Sequence, residues 1–153
     1  MKNPYEATAE MAIRKPIEDV FQSFIDPSIT SKFWFSAGSA LVEEGSRIEW
    51  HWSWYNLVVP VQVLRVVNNE SILVEWGEGK DLSKAEWTFQ AINSNKTFIR
   101  IRNFDFLGEG DQLVNQVTDS TGGFTMVLAG CKAYLEHGIQ LNLVEDKFPK
   151  ELW

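Results

Sequence analysis

The sequence predicts an α+β fold: a curved antiparallel sheet of about six to seven strands wrapped around one long C-terminal helix, with two short helices after the first strand. Three observations carry this reading. The hydrophobic period is that of a strand at the start, helical near residue 20, strand-like again from about Ala37 to Phe106, and helical once more up to Gln140. Short polar and glycine pairs punctuate the central stretch where tight reversals are needed. A chain of 153 residues that is 44% hydrophobic is large enough to bury one substantial core, so a single domain over 1–153 is expected.

Taken in order, Tyr5 to Arg14 alternates as a strand would. Lys15-Pro16-Ile17-Glu18-Asp19 then opens a helix, with proline in its first turn and two acids placed for the helix dipole. Ile17, Val20, Phe21, Phe24 and Ile25 share one face, Asp26-Pro27 ends the run, and a second short helical piece is expected over Ser28 to Trp34. Strands follow at Ser39–Val42, Arg47–Trp54, Leu57–Val67, Ile72–Trp76, Glu86–Ile92 and Thr97–Phe106, an antiparallel meander. After a polar loop containing Gly108-Glu109-Gly110, a helix is expected from Gly123 to Gln140. Asp119, Ser120 or Thr121 would cap it, and Phe124, Val127, Leu128, Cys131, Tyr134, Leu135 and Ile139 would form its apolar stripe. A half-apolar sheet and a half-apolar helix bury each other, and a strongly twisted sheet curls around such a helix.

The segment Arg47–Asn56, RIEWHWSWYN, is the most informative stretch. In an extended strand Ile48, Trp50, Trp52 and Trp54 point to one face, and Glu49, His51 and Ser53 to the other. Each buried ring removes about 150–250 Å² from water, so the three indoles contribute on the order of 10 kcal/mol as an upper bound. Trp76, Trp87 and Phe89 can join the same interior. Large rings pack imperfectly on a curved sheet and their N–H groups need partners, so such an interior can include a ligand space; plain core packing is the simpler alternative.

The chain resembles a known family in several of these positions. Ile13-x-x-Pro16, Val20-Phe21, Phe24, Asp26-Pro27 and Trp34 at one end, and Thr121-Gly122-Gly123-Phe124, Leu128 and Lys132-Ala133-Tyr134-Leu135-Glu136 at the other, are similar to the START-like SRPBCC superfamily, in the branch related to the activator of heat-shock protein 90 ATPase. The resemblance implies a helix-grip fold with a hydrophobic cavity between sheet and C-terminal helix. Its members bind lipids, hormones, polyketides or other apolar molecules, and some are cyclases. Phe124 stands where relatives commonly carry tryptophan, and Cys131 where an aliphatic residue is usual.

Other classes are disfavoured. A net charge of −7 with scattered basic residues offers no footprint for nucleic acid or for anionic membranes. No apolar run spans a bilayer and the N-terminus lacks a leader's apolar stretch, so a cytoplasmic protein is expected. One cysteine excludes an internal disulfide and a cysteine-based zinc site. His51 and His137 fall on outward faces without metal-ligand spacing, so no metal and no cofactor are expected. Cys131 reads as a small buried hydrophobe rather than a nucleophile.

Thr97–Phe104 leaves a choice of phase. With Ile99 and Ile101 inward, Arg100 and Arg102 are solvated; in the opposite phase one arginine enters the interior, pairs with an acid such as Asp105 or Glu75, and anchors a carboxylate or phenolate. The expected function is binding of an apolar small molecule by Trp50, Trp52, Trp54, Trp76, Trp87, Phe89, Phe124, Leu128 and Cys131. A cofactor-free cyclase or dehydratase using the same space is the second reading, with no convergent catalytic group to support it. The third is a module that contacts a chaperone, or a second copy of itself, through an exposed apolar patch over a solid interior.

Overall fold

The computed structural model describes residues 3–153; Met1 and Lys2, which belong to the N-terminal stretch read above for a leader, lie outside the described residues. Seven strands form one antiparallel sheet: β1 (Ala7–Ile13), β2 (Ala37–Gly38), β3 (Arg47–Trp52), β4 (Leu57–Val67), β5 (Ser71–Trp76), β6 (Ser83–Asn93) and β7 (Lys96–Phe104). Their spatial order is β1-β7-β6-β5-β4-β3-β2, so a meander from β2 to β7 is completed by the N-terminal strand. Four helices accompany it: α1 (Ile17–Ile25), α2 (Pro27–Thr30), α3 (Gly110–His137) and α4 (Leu143–Lys147). This is the α+β, helix-grip arrangement the sequence predicts.

The alternation of each strand decides its two faces. Ile48, Trp50 and Trp52 on β3, Val61 and Val63 on β4, Ile72 and Val74 on β5, Ala85, Trp87 and Phe89 on β6, and Ile99 and Ile101 on β7 are all buried on the concave side. A register shift between Val63 and Arg65 inserts Leu64 as a bulge, which turns that side chain outward and adds curvature. On the convex side Arg100 pairs with Glu10 at 2.7 Å, and Arg102 bridges Glu6 and Glu86, each at 2.8 Å. The outward phase of both arginines is therefore the correct one, and no arginine enters the interior from β7.

Asp26 joins the first two helices: its carboxylate accepts from the Ser28 N–H at 2.9 Å as the N-cap of α2, and Pro27 takes the first helical position. The short helix stops at Thr30, and a turn then leads into Phe33-Trp34-Phe35, all buried outside any helix or strand. Gly130 of α3 makes this possible, because a Cβ there would sit 3.2 Å from both the Cβ and the carbonyl oxygen of Phe33. Gly38 has a similar role at the sheet edge, where a Cβ would lie 2.7 Å from that of Pro27.

Several boundaries differ from expectation: the second helix, expected over Ser28 to Trp34, covers only Pro27–Thr30, β6 begins at Ser83 instead of Glu86, and β7 ends at Phe104 instead of Phe106. Ser39–Val42 is not a strand; the pairing ends at Gly38, and Val42 is held through a single backbone bond from its N–H to the Ile25 carbonyl. The strand from Arg47 ends at Trp52, because Ser53–Tyr55 tighten into a 3-10 turn closed by Asn56 in the left-handed region (φ 51°). The closing helix begins at Gly110, well before Gly123, and ends at His137 with Gly138 as its left-handed cap. Ser120 is therefore mid-helix: its hydroxyl donates to Asn103 Oδ1 at 2.7 Å instead of capping.

Candidate aromatic ligand site

Trp34 is the centre of the interior. The rings of Phe35, Trp50, Trp52, Trp76, Trp87 and Phe124 surround it with centroid separations of 4.9 to 5.9 Å, the range in which aromatic pairs attract beyond simple area burial. Three strands and α3 supply five of these partners. A second group adjoins it toward α1, where Phe24 meets Trp87, Phe89 and Phe33, and Phe89 meets Phe21 at 5.2 Å edge to face.

Of the residues singled out from the sequence, Trp50, Trp52, Trp76, Trp87 and Phe124 converge on Trp34. Phe89 lies in the adjacent phenylalanine group, and Leu128 is fully buried on α3. Cys131 faces α1, its Sγ 3.6 Å from Ser23 Oγ; burial pushes its thiol up to about 12, against a smaller opposing effect of that hydroxyl. Trp54 stands apart: carried away by the 3-10 turn, it is half-buried and lines an outer groove with Lys32, Phe33, Gly130 and the segment Gln140 to Glu145.

Where the family resemblance implies a hydrophobic cavity, the described residues place the Trp34 indole, surrounded by six rings. Beside it is a void of about 10 Å³ lined by Phe24, Trp34, Val42, Trp50, Ile72 and Trp87, no more than one water requires. The outer groove has a volume of about 40 Å³. Trp34 is the residue that lines both spaces. The sequence offers Trp34 as a matching family position and as the end of the expected Ser28 to Trp34 helix, which in fact stops at Thr30. The local signal was the run Phe33-Trp34-Phe35, which fits neither a strand nor a helical face and so implies a buried irregular segment.

The buried polar side chains are Ser23, Thr30, Ser83, Thr97 and Asn103, none of them an acid or base near neutral pH. Asn103 is saturated, donating to Ser83 Oγ and the Lys84 carbonyl while accepting from Ser120. Three indole nitrogens, Nε1 of Trp50, Trp76 and Trp87, are buried without a hydrogen-bond partner. Among the described residues no group of three or more His, Cys, Asp or Glu could hold a metal ion, and no helix is long and apolar enough to cross a membrane.

Residues 14–136 match the family model described as Activator of Hsp90 ATPase homolog 1-like protein. No curated protein matches. Among solved structures, protein SSP2350 from Staphylococcus saprophyticus is 28% identical, with a TM-score of 0.77 over 90% of this chain and 96% of its own. DynU16, a putative protein in the dynemicin biosynthetic locus, superimposes with a TM-score of 0.76 at 17% identity; the match covers 88% of this chain and 48% of that protein. The Aha1 dimer from Colwellia psychrerythraea gives a TM-score of 0.72 at 16% identity, covering 88% and 98%.

Proposed function

Because the chain belongs to the family of Activator of Hsp90 ATPase homolog 1-like proteins, we propose that it binds an apolar small molecule in the aromatic interior, at the position the Trp34 ring occupies. Family membership alone is a weak warrant, since one scaffold carries many functions. The observation that carries the reading is Trp34 itself. It is held on an irregular segment and lines both a surface groove and an internal void; in the proposed bound state its side chain rotates, joining the two spaces and freeing the volume of an indole between walls of Trp50, Trp52, Trp76, Trp87 and Phe124. The ligand would exchange ring contacts with Trp34 for ring contacts of its own, and the cost of moving Trp34 would lower its apparent affinity.

The test is a tryptophan fluorescence titration of the wild type, Trp34→Ala and Trp34→Leu with fatty acids, sterols, flavonoids and aromatic ketones. Saturable binding of at least one class is expected, tightened roughly tenfold or more where the displaced ring is removed. An absence of saturable change for every compound in all three proteins would sink the proposal. A second reading, a protein-binding module, is favoured by Ile139, Leu141, Phe148, Leu152 and Trp153, which expose large apolar side chains along the C-terminal segment. It predicts that substitutions there, and none at Trp34, abolish capture of a chaperone.

A further inference from the structure

The three tryptophans whose buried indole N–H groups have no partner form part of the ring shell around Trp34, the proposed site. Trp50 and Trp87 are 3% and 1% exposed, and although Trp76 is only half-buried as a residue, its Nε1 is fully enclosed. They come from three strands and meet around one ring: the centroids of Trp50, Trp76 and Trp87 lie 4.9, 5.8 and 5.9 Å from that of Trp34. Trp50 in addition touches both of the others, at 5.9 and 6.3 Å. An indole can donate but not accept, so these groups cannot satisfy one another. The buried hydroxyls of the interior are engaged elsewhere: Ser23 bonds the Val20 carbonyl, Thr30 the Ser23 carbonyl, and Thr97 the Lys15 carbonyl.

Buried polar groups are nearly always paired, and an orphan is costly. Three orphans of one kind in one cluster give the site a definite chemical sign: its unpaired side-chain groups are donors. Among the described residues no lysine or arginine is buried, and Arg100 and Arg102 lie on the convex face in ion pairs with Glu10, Glu6 and Glu86. Neutral N–H donors alone compensate poorly for stripping water from a carboxylate.

We infer that the ligand is an uncharged, planar apolar molecule whose carbonyl-type oxygen accepts hydrogen bonds from the Trp50, Trp76 and Trp87 indoles, in preference to a pure hydrocarbon or a carboxylic acid. This rests on the proposed binding site and specifies what that site takes.

Three tricyclic probes separate the possibilities: 9-fluorenone, fluorene and fluorene-9-carboxylate, titrated into wild-type protein labelled with 15N at the tryptophan indoles. Seven indole cross-peaks are available, one per tryptophan, assigned with Trp50→Phe, Trp76→Phe and Trp87→Phe. Fluorenone should bind at least about tenfold tighter than fluorene and move the Trp50, Trp76 and Trp87 indole protons downfield. The carboxylate should bind most weakly, and the three phenylalanine variants, which keep a ring but lose the donor, should erode the preference for the ketone. Equal affinity for ketone and hydrocarbon without downfield shifts, or tightest binding of the carboxylate, overturns the acceptor rule while leaving the binding site intact. Failure of all three probes to bind the wild type and Trp34→Leu overturns the rule together with the site.

Discussion

The Cys131 thiol shows how strongly one position can be governed by its surroundings. It sits on the buried stripe of α3 with the Ser23 hydroxyl 3.6 Å from its sulfur, and desolvation raises its pKa to about 12. At pH 8 about one molecule in ten thousand carries the reactive thiolate. A thiol reagent should therefore label the native protein only as fast as the fold opens, and label it promptly in denaturant; stoichiometric labelling of the native state within minutes would contradict this burial. The stripe that placed Cys131 inside was legible in the sequence. Trp34 was not, although it matters more to the site. Position on a face is encoded by periodicity, whereas Trp34 belongs to neither period. Its placement comes from the length of α2, the turn after Thr30 and the absence of a side chain at Gly130, on an element a hundred residues away.

At the scale of elements, most strands were legible because β-branched and aromatic residues alternate between turn pairs. The errors are equally physical. Trp54 was assigned to the inner face because alternation continues through it, but a 3-10 turn at Ser53–Tyr55 breaks the period. The first half of α3 was hidden because its burial is slight and Gly122-Gly123 interrupts it. Neither glycine is required by packing: a Cβ at either would meet nothing within 4 Å. Gly122→Ala and Gly123→Ala should each stabilise the protein by about 0.5–1 kcal/mol in urea unfolding. Loss of stability in both would show that the helix needs to bend there. Hydrogen exchange at residues 118–126, faster than at residues 127–135 in the wild type, should slow in the double variant.

For the whole molecule, the ion pairs of the convex face and the helix end set how stability follows pH. The hydrogen bond from Arg102 holds Glu6 below its ordinary value near 4.5, outweighing its partial burial. Burial alone would raise Glu136, but the Arg14 N–H at 2.8 Å and the Lys132 ammonium at 2.5 Å overcome it and the net shift is downward. Both carboxyls are stronger acids folded than unfolded, so their contribution is present above about pH 4.5 and is lost as pH falls through their folded values. Cys131 acts at the other end: its folded value is raised from 9.0 to about 12, so stability is unaffected below pH 9 and falls as pH rises between those limits. Urea midpoints should thus form a plateau with falling sides. Arg102→Met should flatten the acid side and Cys131→Val the alkaline side; unchanged slopes in both variants would refute the assignment. The sheet order has a further consequence, for the time at which the fold can form. β1 has its only strand partner in β7, through pairs such as Ala9 with Ile101 and Ile13 with Thr97. During synthesis β1 therefore stays without its strand partner until β7, Lys96–Phe104, has been made. The loop that this closure must span is the longest in the sheet, which places the joining of the two ends among the slow steps of folding.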